Sequence, residues 1–242
     1  MELDDRLKDK VAAYTVSREA LDPIRHAPLL FTVGITGAGK NAILDYLLET
    51  YPDQYQFLIS HTTRPMRAYE QQDVHYHFVD FPTMEQMVDG GQFTEVQIVH
   101  ADNVYGTSIA EIKRAQDAHK IACNDVETQG VDAYHALGLN ARAVFLLPPS
   151  YEVWNERLLA RYKEAGKIDT TDLKNRYQSA LNEIRHALER DYYYIVINED
   201  LMETAELVNE IAHGKDVPPH YHKAVAIAEH LVEAITAALA KL

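Results

Sequence analysis

Apolar residues fall along the chain in two rhythms. Short apolar or alternating runs at residues 29–33, 56–60, 92–99, 120–127, 143–147 and 192–197 predict strands, several of them apolar enough to be buried on both faces. Between these runs the spacing turns helical. Ile43, Leu44, Leu47 and Leu48 share one face, residues 82–91 predict a short helix closed by Asp89-Gly90-Gly91, and residues 201–213 predict another after the last strand. Ser150 follows the Pro148-Pro149 stop and caps a helix carrying Trp154, Arg157, Leu158 and Arg161. Tyr105-Gly106-Thr107-Ser108 reads as a turn entering a helix that runs to about His119, with Thr107 or Ser108 as its cap. At the ends of the chain, Leu3, Leu7, Val11 and Tyr14 mark one amphipathic helix halted by Pro23 and Pro28. Ile227, Leu231, Ile235, Ala238 and Leu242 mark another beyond Pro218-Pro219. Strands alternating with helices predict an α/β fold, and the stripes of the terminal helices suit packing on the core or on a second subunit.

Composition narrows this picture. At 242 residues, 47% hydrophobic and 25% charged, the chain is long enough for one large α/β core with insertions. No run approaches about 18 consecutive apolar residues, and the opening Met1-Glu2-Leu3-Asp4-Asp5-Arg6 is too acidic for a signal or transit peptide, which predicts a cytoplasmic protein with no membrane partner. The single cysteine, Cys123, leaves no internal disulfide, and its neighbours Ile121 and Ala122 predict a buried thiol rather than a nucleophile. A formal charge of -14 argues against nucleic-acid binding, which needs a basic face. A small anionic ligand must therefore be held by a local cluster of cations.

The densest chemistry lies where the first strand meets the first core helix. Gly34-Ile35-Thr36-Gly37-Ala38-Gly39-Lys40-Asn41-Ala42 has the glycine spacing and lysine of a P-loop. Such a loop offers a phosphate chain converging N–H groups, a positive helix N-terminus and one flexible cation, with no side chains in the way. A plain glycine turn between a strand and a helix is the competing account. One position departs from the pattern. The residue after the lysine is Asn41 where Ser or Thr would hold magnesium, and its amide oxygen makes it a candidate ligand of weaker affinity.

Further along, Ser60-His61-Thr62-Thr63-Arg64-Pro65-Met66-Arg67, with Glu70 and Tyr76 beyond, sets two guanidiniums and a phenol where a phosphomonoester could be gripped. Glu95 sits on an alternating strand, either as a solvated residue or as the acceptor for an edge with two adjacent N–H donors, such as guanine presents. Asp125 and Glu127 close the 120–127 strand two residues apart and thus on one side of it, where a ligand crevice or plain solvent can receive them. Arg157 and Arg161 lie one turn apart, and Arg176 follows a polar segment containing Gly166. Three arginines around a mobile loop fit a clamp on a transferring phosphoryl group, against the simpler account of a wet helix face. His220 and His222 lack a third ligand in view and read as a solvated turn.

Taken together, these motifs resemble guanylate kinases over about residues 29 to 212. The pieces that carry the resemblance are Gly34 to Lys40, Ser60 to Arg64 with Arg67, Glu70 and Tyr76-His77-Phe78, Glu95, Tyr105-Gly106-Thr107, Asp125 to Gly130, Leu146 to Ser150, Arg157 with Arg161, Arg176 with Ala180 and Glu183, and Ile195 to Asn198. The resemblance implies a doubly wound parallel sheet core spanning 28–214, an inserted nucleotide-monophosphate part at about 60–107 and a lid at about 157–176, with helical extensions at 1–27 and 215–242. It implies ATP-dependent phosphorylation of GMP, with dGMP as a further acceptor, and magnesium as the metal. Lys40, Arg157, Arg161 and Arg176 would then be catalytic. Residues 34–42 and Asn198 would hold ATP. Ser60, Glu95 and Asp125 would meet guanine, Arg64, Arg67, Tyr76 and Tyr105 the GMP phosphate, and Thr107 and Glu127 the same substrate. The chain departs from the family at Asn41, Tyr69, Asp73, His75 and Glu127, and its lid is longer. A guanylate-kinase-like module that binds phosphorylated peptides without turnover is the alternative the same fold allows.

Overall fold

The computed structural model describes residues 3–99, 103–164, 170–215 and 222–241. In chain order its elements are α1 (Asp5–Ala13), α2 (Arg18–Leu21), a 3-10 turn (Asp22–Ile24), β1 (Leu29–Gly34), α3 (Lys40–Thr50), β2 (Tyr55–Phe57), β3 (His61–Thr62) and β4 (His77–Phe78). There follow α4 (Phe81–Asp89), β5 (Phe93–Val99), β6 (Asn103–Ser108), α5 (Ile109–Asp117), β7 (Ile121–Asp125), α6 (Thr128–Ala136) and β8 (Ala141–Leu147). The chain continues through α7 (Tyr151–Glu164), α8 (Thr170–Leu188), β9 (Tyr193–Ile197), α9 (Leu201–Ala212) and α10 (His222–Leu239). One sheet has the strand order β2-β7-β1-β8-β9 and the other β4-β3-β6-β5. The chain divides into two compact units, the first made of residues 1–28, 53–122 and 132–140, the second of 29–52, 123–131 and 141–242.

In the second unit β1, β8 and β9 run parallel, with Thr32 beside Val144 and Phe145 beside Ile195. Every residue of β1 is buried, as a continuous apolar run between helices requires. Helices α3, α8, α9 and α10 flank this sheet. Along α10, Ala224, Ala228, Leu231 and Ile235 are buried against α8, β9 and α7, so the stripe read from the sequence packs inside its own unit, with its centre on the two alanines rather than on half-buried Ile227. Pro218, Pro219, His220 and Leu242 lie outside the described residues. His222 opens α10. Cys123 is buried and its thiol is pushed up to about 12 by that burial, an inert core group as expected.

The first unit holds a mixed sheet, parallel between β3 and β4 and antiparallel between β3 and β6 and between β6 and β5, with helices on it. Leu7 and Val11 of α1 pack with Leu3, Met84, Val88, Phe93 and Val104. Asp4 caps α1 by accepting from Leu7 N–H at 2.8 Å, but the helix ends at Ala13. Instead of one long helix there are three short ones, because Ser17 caps a new turn and Pro23 sits in the first turn of the 3-10 segment, where its missing N–H costs nothing. Tyr14 has left the helical stripe for a different task. Its hydroxyl donates to Phe93 O at 2.6 Å and accepts from Phe93 N–H at 2.9 Å, fastening both polar groups of one β5 residue.

Three more local expectations change. The strand foreseen at 56–60 is only Tyr55–Phe57. Tyr105 to Ser108 is not a turn but the end of β6. Gly106 is there because a Cβ would lie 2.8 Å from the Phe93 ring and 3.0 Å from Glu95 O across the β5 pair, and Ser108 is the α5 cap. Strand β7 stops at Asp125, so Glu127 stands outside it, its carbonyl accepting from Gly130 N–H, and the two acids do not share a strand face.

His61 on β3 stacks beside His77 on β4 with ring centroids 4.5 Å apart. Burial, and then the neighbouring His77, lower its pKa from 6.5 to about 4. The unfolded chain therefore takes up a proton between these values that the folded chain refuses, so stability is lost as pH falls from 6.5 toward 4. Denaturant unfolding of wild type should weaken across that window by on the order of 2 kcal/mol more than that of His61→Phe.

Candidate functional site

The second unit presents the phosphate cradle. β1 ends at Gly34, where a Cβ would lie 2.4 Å from Leu146 O, so only glycine lets the strand leave the sheet there. The loop closes with Ala38 N–H donating to Ile35 O at 3.0 Å, and α3 opens at Lys40 behind Gly39, whose φ of 95° and missing Cβ admit the Asn198 amide. Two loop carbonyls are tied down. Asn198 Nδ2 donates to Ala38 O at 2.8 Å, and the indole N–H of fully buried Trp154 donates to Thr36 O at 2.9 Å. Lys40 Nζ spans the loop to Gly34 O. Ile35 and Ala38 are buried, Thr36 and Gly37 half-buried, and Asn41 and Ala42 exposed on the first turn of α3.

Of the three predicted arginines, Arg176 reaches this loop with its guanidinium and Arg157 lies against it at its Cβ. Arg176 of α8 donates from Nη1 to Thr36 Oγ1 at 3.3 Å, with Asp172 3.6 Å from its Nε, and Arg157 of α7 has its Cβ 3.7 Å from where a Gly37 Cβ would be. The Arg161 side chain and lid residues 165–169, Gly166 among them, lie outside the described set. Glu183, half-buried on α8, has its carboxyl pushed up chiefly by burial and also by the charge of Glu127, while Lys40 and Arg176 pull it down. These groups therefore share one electrostatic environment. Asp125 and Glu127 are exposed in the same unit. Trp154 was legible as a helix residue, but nothing in its spacing announced that it pins the loop.

The first unit gathers a second set. Arg64 forks onto Glu70 with contacts of 2.7 and 3.0 Å, donates from Nε to Tyr105 Oη at 3.1 Å, and lies over the rings of Tyr76 and Phe78 at 5.4 and 5.6 Å. Glu70 is held down at about 2, first by Arg64 and then by Arg67 N–H at 2.7 Å. Arg67 itself points to solvent, its Nη1 on Tyr69 Oη. Thus Arg64, Tyr76 and Tyr105 converge, with Glu70 as the clamp that sequence reasoning had left without a role. Alongside, Glu95 of β5 is paired with Thr107 of β6. Its Oε1 accepts from Thr107 N–H at 3.2 Å, and Ser60 Oγ lies 3.4 Å from Thr107 Oγ1. Burial pushes the Glu95 carboxyl up, and the Thr107 hydrogen bonds pull against that. A carboxylate flanked by two hydroxyls can receive a pair of adjacent N–H donors.

Residues 27–214 match the family model described as guanylate kinase. The chain belongs to the guanylate kinase family. It is 32% identical over 195 residues to guanylate kinase of Chromohalobacter salexigens, covering 81% of this chain and 87% of that one. It is 35% identical over 184 residues to that of Helicobacter pylori, covering 76% and 85%. With guanylate kinase 1 of Arabidopsis thaliana it shares 33% identity over 170 residues, 70% of this chain but only 43% of the plant protein. The crystal structure of guanylate kinase from Anaplasma phagocytophilum shares its fold, with a TM-score of 0.55 at 21% identity, over 87% of this chain and 95% of that one. Among the described residues no helix is long and apolar enough to cross a membrane, and no group of three His, Cys, Asp or Glu is arranged to hold a metal ion.

Proposed function

We propose that the protein transfers the γ-phosphoryl group of ATP to a phosphate oxygen of GMP, releasing ADP and GDP, and that it does so in the cytoplasm. The observation that supports this best is the donor half, with Lys40 and Arg176 brought to a glycine loop whose carbonyls are tied back and Arg157 alongside it. In this reading residues 34–42 and Asn198 hold ATP, Arg64, Arg67, Tyr76 and Tyr105 hold the GMP phosphate, and Ser60, Glu95 and Thr107 hold guanine, with Asp125 and Glu127 assisting. In this reading dGMP, which carries the same base and phosphate, is a further acceptor. The family relationship supports the substrates.

Phosphoryl transfer asks for alignment and charge neutralisation rather than covalent help. Lys40 and the arginines at positions 157, 161 and 176 supply positive charge where negative charge spreads over the transferred group, and the Arg64 cluster fixes the acceptor. Magnesium, when bound, neutralises part of the triphosphate charge. Asn41 would fit as a protein ligand to it, being an exposed hard-oxygen donor on the first turn of α3. Asn41→Ser should lower the magnesium concentration that half-saturates turnover by about fivefold, about 1 kcal/mol, with a parallel change in magnesium-dependent ATP affinity by calorimetry.

A phosphopeptide-binding module has no use for the donor half. The test is ADP formation from ATP with and without GMP, joined by thermal shift. Turnover that requires GMP, and stabilisation by an ATP analogue plus GMP beyond either alone, are expected. Absence of GMP-dependent turnover with magnesium or manganese would overturn the assignment.

A further inference from the structure

The guanine seat is backed by a polar pair that the activity does not by itself require. Pairing between β5 and β6 sets Phe93 against Ser108 and Glu95 against Thr107, so Thr94 is the extra residue of a β-bulge. Its side chain, 4% exposed, enters the interior and donates from Oγ1 to Thr107 O at 2.8 Å. That hydroxyl has a single proton. The contact of 3.0 Å between Thr94 Oγ1 and Tyr134 Oη must then be a bond that the phenol donates. Tyr134, on α6, is 1% exposed, and burial together with the Glu95 charge raises its pKa, keeping it a donor.

Thr107 is thereby held at both ends. Its carbonyl is fixed by Thr94, while its N–H bonds Glu95 Oε1 and its hydroxyl lies beside Ser60. We infer that Tyr134 and Thr94 are positioning residues for base selection. A buried hydroxyl relay runs from α6 through the β5 bulge to Thr107, and holds the Glu95 carboxylate in the orientation that accepts two adjacent N–H donors. Buried hydroxyls cost stability unless all are bonded, and valine and phenylalanine would fill the same space more simply if only packing mattered, so the relay has a geometric purpose. The inference rests on the guanine-reading role proposed for Glu95.

IMP is the informative comparison, since it keeps the N1–H of guanine and lacks the 2-amino group. In Thr94→Val the preference for GMP over IMP in kcat/KM should fall about tenfold, through a higher KM for GMP with kcat within about twofold of wild type. Tyr134→Phe should lower it by about threefold, and Thr94→Ser should keep the wild-type ratio. The KM for ATP should not move. Calorimetric affinities for GMP and IMP read the same ratio without turnover, which separates this inference from the assignment of activity. A wild type that binds GMP over IMP but turns neither over sinks the activity and still decides the relay. Folded Thr94→Val and Tyr134→Phe proteins that keep the ratio overturn the relay, as does a Thr94→Ser protein that loses it, or a wild type that binds GMP no better than IMP. Should Thr94→Val not fold, Tyr134→Phe removes one oxygen atom and decides alone.

Discussion

Lys40→Ala should lose GMP-dependent ADP formation by a factor of at least about a thousand in kcat, while its melting temperature stays close to that of wild type. The ammonium is the one cation that the loop itself supplies. It is half-buried, rests on Gly34 O, and bonds no acid among the described contacts, and Glu183, which feels its charge, keeps that of Arg176 when it goes. The loop keeps its shape, since the Asn198, Trp154 and Ala38 bonds do not involve the lysine side chain. A coupled assay for ADP with a parallel unfolding scan checks both halves of the statement. Turnover within tenfold of wild type would mean that the donor triphosphate is held elsewhere.

Glu95→Ala is the second large effect. Two charge-assisted hydrogen bonds to guanine at about 1.5–3 kcal/mol each amount to roughly a thousandfold in kcat/KM for GMP, whereas AMP, which offers no such pair, should change by less than about threefold. Competition between the two nucleotides measures it. The pH dependence has the same origin. Only the ionised carboxylate accepts both donors, and burial raises its pKa above the ordinary glutamate value. The KM for GMP should therefore rise as pH falls, beginning at a higher pH than an exposed glutamate would give, and Glu95→Ala should abolish that rise.

Much of this was legible in the chain. The core strands β1, β8 and β9 announce themselves because a strand buried on both faces must be apolar without interruption, and the P-loop because its glycines, lysine and flanking elements are contiguous. Strands β3 and β4, two residues each, carry no periodicity to detect. Gly106 misled for a physical reason. A glycine that admits a neighbouring backbone looks, in sequence, like one that turns the chain. At the site, the types and spacing of Arg64, Tyr76 and Glu95 suggested their chemistry, and the family resemblance supplied their roles and added Tyr105. What stayed hidden were supports that join distant positions, such as Trp154 to Thr36 or Tyr134 to Thr94, since no local pattern encodes a contact made 118 or 40 residues away.

The segment ahead of β1 bears on how the protein can be handled. Leu7, Val11 and Tyr14 line the back of the strand whose next residues are Thr94 and Glu95. Trimming the gene to residues 27–214 would strip that strand of its cover, baring Phe93, Met84 and Val88 to water and leaving a sticky edge. Expression boundaries set by the family match alone would thus yield a protein prone to clump.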